Sequence, residues 1–504
     1  MPRTRREIVA TLAMLALALP TNGCTALAGW MAPGDTLPFP IAPLATDATG
    51  RTYDVDGNGV ADFAVRHGAS GRFERIEYDD DEDGTFERSY RLGEAHPRGR
   101  PHLILLVDSL PFRIVHPRWQ AGDWTWFHEP RKVIPPFPSL SEVIFSEIMQ
   151  APPMPANIER HYDRRTNEIE NLWIDRALGY EPPWIRRLDS HIGSYMNVGM
   201  SYVNPQPWYH AELAAAKAAV DANDGMVTIA YIVSSSAMLS RYGREGLDEC
   251  LAAIDQLCLQ LFWERQGAID ITILSDHGHN LTPSPNFLVA ERLAEGGFHP
   301  TDSIVDRERD VVPEINGLVT YFGVHTARPV AVAEAMLVHP EIQLAIWQAG
   351  ERVVVRDHDG LAFVEHSGER FRYRPERGDP LRLNEVVAAM TAAGRLDADG
   401  FGSDADWFDA TVDAEYPDAL SRLWNAFHGQ VINPPQVLFT LHDGHCAGLE
   451  SMADWIDMQS THGGLNQINS DAVLMTTKCE VAGSLRSRDV LPAIEPRVRA
   501  RLQR

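Results

Sequence analysis

Positive charge is scarce in this chain of 504 residues: 45 Lys and Arg stand against 70 Asp and Glu, which gives a net charge of −25. Binding to a nucleic-acid backbone depends on clustered positive charge that displaces counterions, so the composition argues against a nucleic-acid partner. The hydrophobic share of 44% is ordinary for a globular protein and excludes disorder throughout. The composition therefore favours cations or small molecules as partners.

Cysteine is rare as well, with five residues, so the chain is not a disulfide-stapled scaffold. Cys250 and Cys258 stand on a predicted helix, about 12 Å apart along its axis at 1.5 Å per residue, which is too far for a disulfide. We predict that they are core thiols. Cys446 and Cys479 are the candidate disulfide pair.

Long apolar runs are missing after the first residues, and none reaches the roughly 20 residues of a membrane-spanning helix. Residues 1–23 resemble an export signal: a basic start is followed by the run VATLAMLALAL, and Arg5 and Arg6 are similar to a twin-arginine signal. Cys24 is a candidate lipidation site. We therefore expect an exported protein of the periplasm or cell envelope, with Cys24 as its candidate lipid anchor and no transmembrane span.

Acidic residues are concentrated in two similar loops, DVDGNGVAD and DDDEDGTFE. Each loop has oxygen-bearing side chains at positions 1, 3, 5 and 9 and glycine at position 6: Asp54, Asp56, Asn58 and Asp62 in the first loop, and Asp79, Asp81, Asp83 and Glu87 in the second. Calcium prefers several hard oxygens on a tight loop. Both loops lack the glutamate at position 12, so they are not EF-hands, and the flanking alternation predicts strands. Weak calcium sites and solvated hairpin turns both remain open.

Two apolar segments end in side chains that suit a metal site. HLILLVDS ends at Asp108, and IDITILSDHGH ends at Asp276, His277 and His279. Ligands collect at the carboxyl ends of parallel strands in an open α/β sheet. Two carboxylates and an imidazole delivered there suit zinc or manganese.

These segments resemble the alkaline phosphatase superfamily, and within it the type I phosphodiesterase and nucleotide pyrophosphatase branch. The motifs LILLVDS, FPSLSEVIFSEI, TIAYIVSSSAMLSRYG, ILSDHGH and STHGGL occur in the family's order. The resemblance implies two metal ions around a Ser or Thr nucleophile, which it puts at Ser141, with Ser139 as the less favoured alternative. It also implies that Asp108, Asp276 and His277 bind the ion that activates the nucleophile.

The chain departs from the family at the other metal ion. The resemblance implies an Asp and a His where this chain has Ser236 and Ser240, and only His462 of STHGGL remains as a ligand. A serine hydroxyl is a poor substitute for either ligand. We therefore expect one ion, zinc or another divalent transition metal. His279, His442 and Asp443 are candidates for the surroundings of the site.

The fold class that we predict is α/β: an alkaline-phosphatase-like layered core with a central, mostly parallel sheet flanked by helices. The predicted segments are a signal (1–23), a linker (24–50), an acidic β-hairpin segment (51–98), the core (100–311 and 431–482), an inserted α+β subdomain (312–430) and a basic peripheral tail (483–504). Residues 151–206 form a predicted cap rich in proline and aromatics. Substrate specificity usually resides there, and Arg187 is its candidate contact for an anionic substrate.

Two functions follow from these patterns. The first is a hydrolase or transferase that acts on a small anionic phosphate, sulfate or phosphonate ester. The second is a catalytically weak or inactive relative that serves as an envelope binding protein, which the serines at 236 and 240 favour. A calcium-dependent adhesion module is a third interpretation, which fits the large core badly.

Overall fold

A computed structural model describes residues 42–91, 100–171, 181–193, 195–223, 226–315, 317–449, 456–498 and 502. The predicted export signal and Cys24 lie outside the described residues. So does most of the predicted linker.

The described residues form 22 strands and 12 α-helices. The strands are β1 (Ala45–Asp47), β2 (Gly50–Tyr53), β3 (Phe63–His67), β4 (Phe73–Tyr78), β5 (Arg88–Arg91), β6 (His102–Val107), β7 (Arg131–Ile134), β8 (Arg160–Asp163), β9 (Glu168–Asn171), β10 (Val227–Ile232), β11 (Asp270–Leu274), β12 (His299–Pro300), β13 (Asp310–Glu314), β14 (Tyr321–His325), β15 (Ile342–Ala349), β16 (Arg352–Arg356), β17 (Leu361–Ser367), β18 (Arg370–Arg377), β19 (Gly402–Ser403), β20 (Val437–Leu441), β21 (Ala472–Thr476) and β22 (Leu485–Arg486). The helices are α1 (Phe112–Gln120), α2 (Ser141–Ile148), α3 (Tyr195–Val203), α4 (Pro205–Ala222), α5 (Ser234–Glu264), α6 (Val289–Glu295), α7 (Pro329–Met336), α8 (Asn384–Ala392), α9 (Asp404–Thr411), α10 (Ala419–Phe427), α11 (Gln467–Ser470) and α12 (Ser487–Ile494).

The central sheet has the strand order β10-β6-β11-β21-β7-β22. Strands β10, β6 and β11 are parallel neighbours, and β21 runs against both β11 and β7. Five of the six strands therefore point the same way, because β22 is parallel to β7. The predicted α/β class with a mostly parallel sheet is confirmed.

Strand β6 shows why this sheet is a middle layer. Its six residues are all buried, and they alternate between two packed clusters. Leu103 and Leu105 pack in the cluster that includes residues of α4 and α5, and Ile104 and Leu106 pack in the cluster that includes residues of α2 and α12. Successive strand residues face opposite sides, so an unbroken apolar run needs helices on both faces.

The N-terminal sheet is an antiparallel meander, β1 to β5 in order, and the two acidic loops connect β2 to β3 and β4 to β5. Its apolar face packs on α5: the Tyr78 hydroxyl donates to the Phe262 carbonyl oxygen at 2.7 Å, and the Phe63 ring lies 5.0 Å from that of Trp263. Strand β1 lies within the predicted linker, so the sheet begins earlier than we expected.

A second sheet has nine strands in the order β12-β13-β14-β20-β15-β16-β17-β18-β19. We expected residues 431–482 to belong to the core, but β20 pairs antiparallel with β14 and β15 of this sheet. All five residues of β20 are buried. A short strand that is apolar on both faces does not reveal from sequence which of two sheets it joins.

The predicted peripheral tail is also wrong where the structure describes it. Strand β22 extends the central sheet, and α12 buries Val490, Leu491 and Ile494 in a core cluster. These apolar positions share one helix face and stand among charged residues, so the composition masked an amphipathic helix.

All four cysteines in the described part of the chain are free thiols. Cys250 and Cys258 are buried, as predicted. Cys446 and Cys479 do not form the candidate disulfide. Both are free thiols, and the Cys446 thiol donates to the Ser284 carbonyl oxygen at 3.1 Å. Among the described helices, none combines the length and the apolar character that crossing a membrane would require.

Candidate active site

Two carboxylates meet at the carboxyl edge of the central sheet. Asp108 follows β6 directly, and Asp276 comes two residues after the end of β11. Because these strands are parallel neighbours with Leu106 paired to Leu274, their ends coincide. Asp108 is 2% exposed and Asp276 is 0% exposed. Together with His277 they offer ligand atoms that all lie within 4.8 Å of one another.

The electrostatics of this group suit a divalent cation. Burial, and then the Asp108 carboxylate, raise the pKa of Asp276 well above its ordinary value, and Asp276 Oδ2 has no hydrogen-bond partner in the described structure. Burial lowers the pKa of His277, which favours its neutral form. His277 Nδ1 lies 2.9 Å from the Gly278 carbonyl oxygen and must donate to it, which leaves a lone pair on Nε2. That Nε2 lies 3.2 Å from Asp276 Oδ2.

Ser141 lies beside this group as the first residue of α2. Its hydroxyl donates to Asp108 Oδ2 at 3.1 Å and lies 3.4 Å from His277 Nε2. The side chain is partly exposed, so a substrate has access to it. A hydroxyl between a carboxylate and a neutral imidazole has both of the neighbours that a nucleophile in a metal site requires.

Ser139, the alternative nucleophile, has a different position. It is 0% exposed, and its hydroxyl donates to the Gly464 carbonyl oxygen at 3.0 Å. Arg422 of α10 donates to the same hydroxyl at 3.0 Å and to the Leu465 carbonyl oxygen at 2.9 Å. Ser139 therefore ties the turn before α2 to the STHGGL segment, and the geometry favours Ser141 as the reactive hydroxyl.

Two further residues orient Asp108, and the sequence analysis did not single them out. The Tyr231 hydroxyl donates to Asp108 Oδ2 at 2.8 Å, and the Ser109 hydroxyl donates to Asp108 Oδ1 at 2.7 Å. Ser109 has a positive φ of 71° and directs its backbone N–H to Asp276 Oδ1 at 3.0 Å. Backbone strain of this kind clusters at functional sites. The signal was present in the motifs, since Ser109 ends LILLVDS and Tyr231 lies in TIAYIVS.

No family model and no curated protein matches the sequence. Solved structures match it in overall shape at low identity. Phosphonoacetate hydrolase from Sinorhizobium meliloti 1021 in complex with phosphonoacetate is 10% identical at a TM-score of 0.40, over 80% of this chain and 95% of that chain. Human ectonucleotide pyrophosphatase/phosphodiesterase 5 is 9% identical at a TM-score of 0.39, over the same shares.

A murine ectonucleotide pyrophosphatase/phosphodiesterase 5, inactive and in complex with AMP, is 8% identical at a TM-score of 0.40, over 80% of this chain and 95% of that chain.

The positions at which the sequence resemblance implies ligands for a second ion carry uncharged serines, Ser236 and Ser240. Ser236 and Ser240 are buried one turn apart on α5, directly after β10. The Tyr202 hydroxyl donates to Ser236 Oγ at 3.2 Å, and the Ser240 carbonyl oxygen accepts from the Gln459 N–H at 2.9 Å. The latter contact brings α5 against the segment that carries His462. Neither Ser236 nor Ser240 supplies a carboxylate there.

His462 and His279 lie next to the group of Asp108, Asp276 and His277 but are not part of it. The His462 ring stacks on that of His277 at 3.8 Å between centroids, and its Nδ1 lies 3.0 Å from the Ser139 carbonyl oxygen. Burial and the neighbouring His277 lower the pKa of His462 to about 3. His279 hydrogen-bonds Ser460 through Nδ1, and its buried Nε2 has no partner in the described structure. In the described residues, neither histidine belongs to the group of Asp108, Asp276 and His277.

The remaining predicted residues lie outside the group of Asp108, Asp276 and His277. Asp443 accepts from the side-chain amides of Asn466 at 3.0 Å and Asn469 at 2.8 Å, and so holds the segment after His462. Its neighbour His442 is exposed, and its partial desolvation lowers its pKa. Arg187 donates to the Met149 carbonyl oxygen after α2, so the structure gives this side chain a partner other than a substrate.

The acidic loops lie apart from this site, on the N-terminal sheet. Asp54, Asp56 and Asp62 form one group of ligand atoms within 4.8 Å of one another, and Asp79, Asp81, Asp83 and Glu87 form another. Asn58 donates to Glu82 Oε2 at 2.8 Å, which joins the two loops.

Proposed function

We propose that this protein is an exported, metal-dependent hydrolase or transferase of a small phosphate-type ester, with Ser141 as its nucleophile. The observation that carries the proposal is the convergence of Ser141 Oγ on Asp108 Oδ2 at 3.1 Å and on His277 Nε2 at 3.4 Å. The five motifs in family order and the signal-like residues 1–23 support the ester chemistry and the export.

The residues present fit one divalent cation. Two carboxylates that are 2% and 0% exposed are costly to bury without a counter-charge, and Asp276 Oδ2 has no hydrogen-bond partner in the described structure. Asp108, Asp276 and the Nε2 of His277 would hold the ion, and its mixed oxygen and nitrogen ligands suit zinc. When bound, such an ion would supply positive charge that lowers the pKa of a neighbouring hydroxyl and stabilises a developing oxyanion.

The protein's own residues position the reaction. Asp108 accepts the Ser141 hydroxyl proton in a hydrogen bond, and Tyr231 and Ser109 fix the orientation of Asp108. His277 is kept in one tautomer by the Gly278 carbonyl oxygen. The hydrogen bonds of the Ser139 hydroxyl fix the turn before α2, and this turn directs Ser141 toward Asp108 and His277.

The residues do not fit a second tightly bound ion. Ser236, Ser240, His279 and His462 contribute neutral groups, and the described residues around them form no further group able to hold a metal. This observation favours the second candidate function, a weak or inactive relative that binds an anionic ligand at the same edge of the sheet.

Metal analysis combined with turnover of aryl phosphate mono- and diesters tests the proposal. We expect about one equivalent of transition metal in protein purified without chelator, because one complete ligand group is present. Ser141→Ala should abolish turnover without removing the metal. Ser146→Ala is the matched control, since Ser146 lies on the same helix and donates only to the Glu142 carbonyl oxygen at 2.7 Å.

The two candidate functions predict different results. Turnover that survives Ser141→Ala contradicts the assignment of the nucleophile. If the protein contains no transition metal and turns over no ester, the proposed enzymatic function is contradicted. The second candidate function, an anion-binding protein, then remains. That second function then requires that a small phosphate ester binds the wild-type chain and that Asp276→Asn changes its affinity.

A further inference from the structure

The second acidic loop brings four carboxylates together, which a hairpin turn by itself does not require. Asp79, Asp81, Asp83 and Glu87 each offer a carboxylate oxygen, and these four oxygens lie within 4.8 Å of one another. Asp79 is 5% exposed, whereas the other three are exposed. Four like charges this close repel one another, and the repulsion is strongest at the buried member.

Asp79 is only half satisfied. Its Oδ2 accepts from the Gly84 backbone N–H at 2.8 Å, but its Oδ1 is buried and has no hydrogen-bond partner in the described structure. A buried polar atom without a partner costs free energy, and buried carboxylates are normally paired or bound to a metal. The orphaned oxygen therefore points to a bound cation as its missing partner.

We infer that Asp79, Asp81, Asp83 and Glu87 form a calcium site, separate from the proposed ester chemistry and independent of it. All of the ligands are hard oxygens, with neither the imidazole nor the thiolate that zinc prefers. Calcium accepts six to eight oxygens in flexible geometry, so carboxylates on one loop can share it with water. Glycine at 84 has φ 87° and permits the turn that brings Glu87 back to Asp79.

The position of the loop gives this ion a structural consequence. Asp79 directly follows Tyr78, which ends β4 and donates to the Phe262 carbonyl oxygen of α5 at 2.7 Å. The Asp79 backbone N–H also donates to the Asp62 carbonyl oxygen at 3.0 Å, at the end of the first acidic loop. An ion that neutralises the second loop therefore stabilises the packing of the N-terminal sheet on the core.

Calcium titration of the full chain, followed by calorimetry and by thermal unfolding, tests the inference. Asp81→Asn removes one ligand charge from an exposed side chain that has no hydrogen bond in the described structure. Glu82→Gln is the matched control: it removes one charge from the same loop, lies outside the ligand group and can still accept from Asn58.

We expect calcium to bind the wild type and to raise its melting temperature. Asp81→Asn should weaken binding about tenfold or more, because calcium affinity follows the number of ligand charges. Glu82→Gln should bind nearly as the wild type does, and Asp276→Asn should keep calcium binding, which separates this ion from one in the active site. Without calcium, Asp81→Asn should melt no lower than the wild type, since it relieves repulsion.

Three results would overturn the inference. The first is no heat and no shift in melting temperature up to about 10 mM calcium, well above the range of extracellular calcium modules. The second is equal weakening by Glu82→Gln and Asp81→Asn, which indicates general charge screening instead of a site. The third is loss of calcium binding in Asp276→Asn, which moves the ion to the central sheet.

Discussion

Asp108 is the residue on which the candidate active site converges. Tyr231 and Ser141 both donate to its Oδ2, at 2.8 and 3.1 Å, and Ser109 donates to its Oδ1 at 2.7 Å. Hydrogen bonds from outside the ligand group fix the orientation of a metal ligand and commonly change metal affinity by 10- to 100-fold. The contribution of each donor can therefore be measured as metal affinity.

Tyr231→Phe tests this dependence. The variant keeps the ring that packs on Phe145 and Trp184 and removes only the hydroxyl that donates to Asp108. We expect metal affinity to fall about tenfold. Competition with a chelating dye measures the affinity.

Tyr202→Phe is the matched control, because its hydroxyl donates to Ser236, in the half of the site without carboxylates. It should leave metal affinity unchanged. Equal losses of metal affinity in the two variants would show that the hydrogen bond from Tyr231 to Asp108 does not determine the affinity.

Helix α5 is the element that connects the site to the rest of the molecule. Its first turns carry Ser236 and Ser240, and its last turns support the N-terminal sheet through Phe262 and Trp263. The helix is interrupted at Gly243, whose φ is 54° and ψ is −124°. Side chains rarely adopt this conformation, so glycine is required at the kink.

Gly243→Ala should destabilise the protein by about 1–3 kcal/mol, the usual cost of a forced backbone conformation. Gly199→Ala on α3 is the control: a Cβ there meets nothing within 4 Å, and its φ is not positive. Alanine at that position should be neutral or slightly stabilising. Chemical denaturation of both variants measures the difference, and equal stabilities would mean that the kink is not fixed by Gly243.

Across the whole molecule, the central sheet separates two kinds of charged cluster. The group of Asp108, Asp276 and His277 lies after the carboxyl end of β6. At the other end of that strand, His102 Nδ1 contacts Glu495 Oε2 at 2.7 Å. Lys478 and Arg497 donate to the same buried carboxylate. Burial raises the pKa of Glu495, but the hydrogen bonds from Arg497, His102 and Lys478 outweigh it and hold that pKa below its usual range.

The depressed pKa of Glu495 predicts a pH-dependent contribution to stability. A carboxyl whose pKa is lower in the folded state stabilises the fold above its unfolded value of about 4.5, and this contribution is lost as the pH falls below it. Glu495→Gln should therefore lower the free energy of unfolding by about 2 kcal/mol at neutral pH, because it removes the charged acceptor of the hydrogen bonds from Lys478 and Arg497.

The difference between the wild type and Glu495→Gln should shrink as the pH falls below about 4.5. Urea unfolding at neutral pH and at successively lower pH values measures it. Glu334→Gln is the control, since Glu334 is an exposed partner of Arg356 at 3.2 Å and such surface pairs contribute little. A difference that is constant with pH would show that the Glu495 pKa is not depressed.

Local sequence determined much of this protein. The apolar run of β6 closed by Asp108, and that of β11 followed by Asp276 and His277, predicted both the parallel sheet and the ligand group, since parallel neighbours end at the same edge. The serines at 236 and 240 likewise predict, through the sequence resemblance, that one half of the site lacks carboxylates. Each of these features depends on a pattern within a few residues.

Only the tertiary structure decided the rest. It assigned β20 to the second sheet, packed α12 into the core and put Arg422 on the buried Ser139. It also left Asp79 Oδ1 without a partner in the described chain. These contacts join residues that are far apart in the sequence, and burial depends on everything packed around a group. A sequence pattern indicates candidate ligands, but the burial of each of their oxygen atoms depends on the tertiary structure.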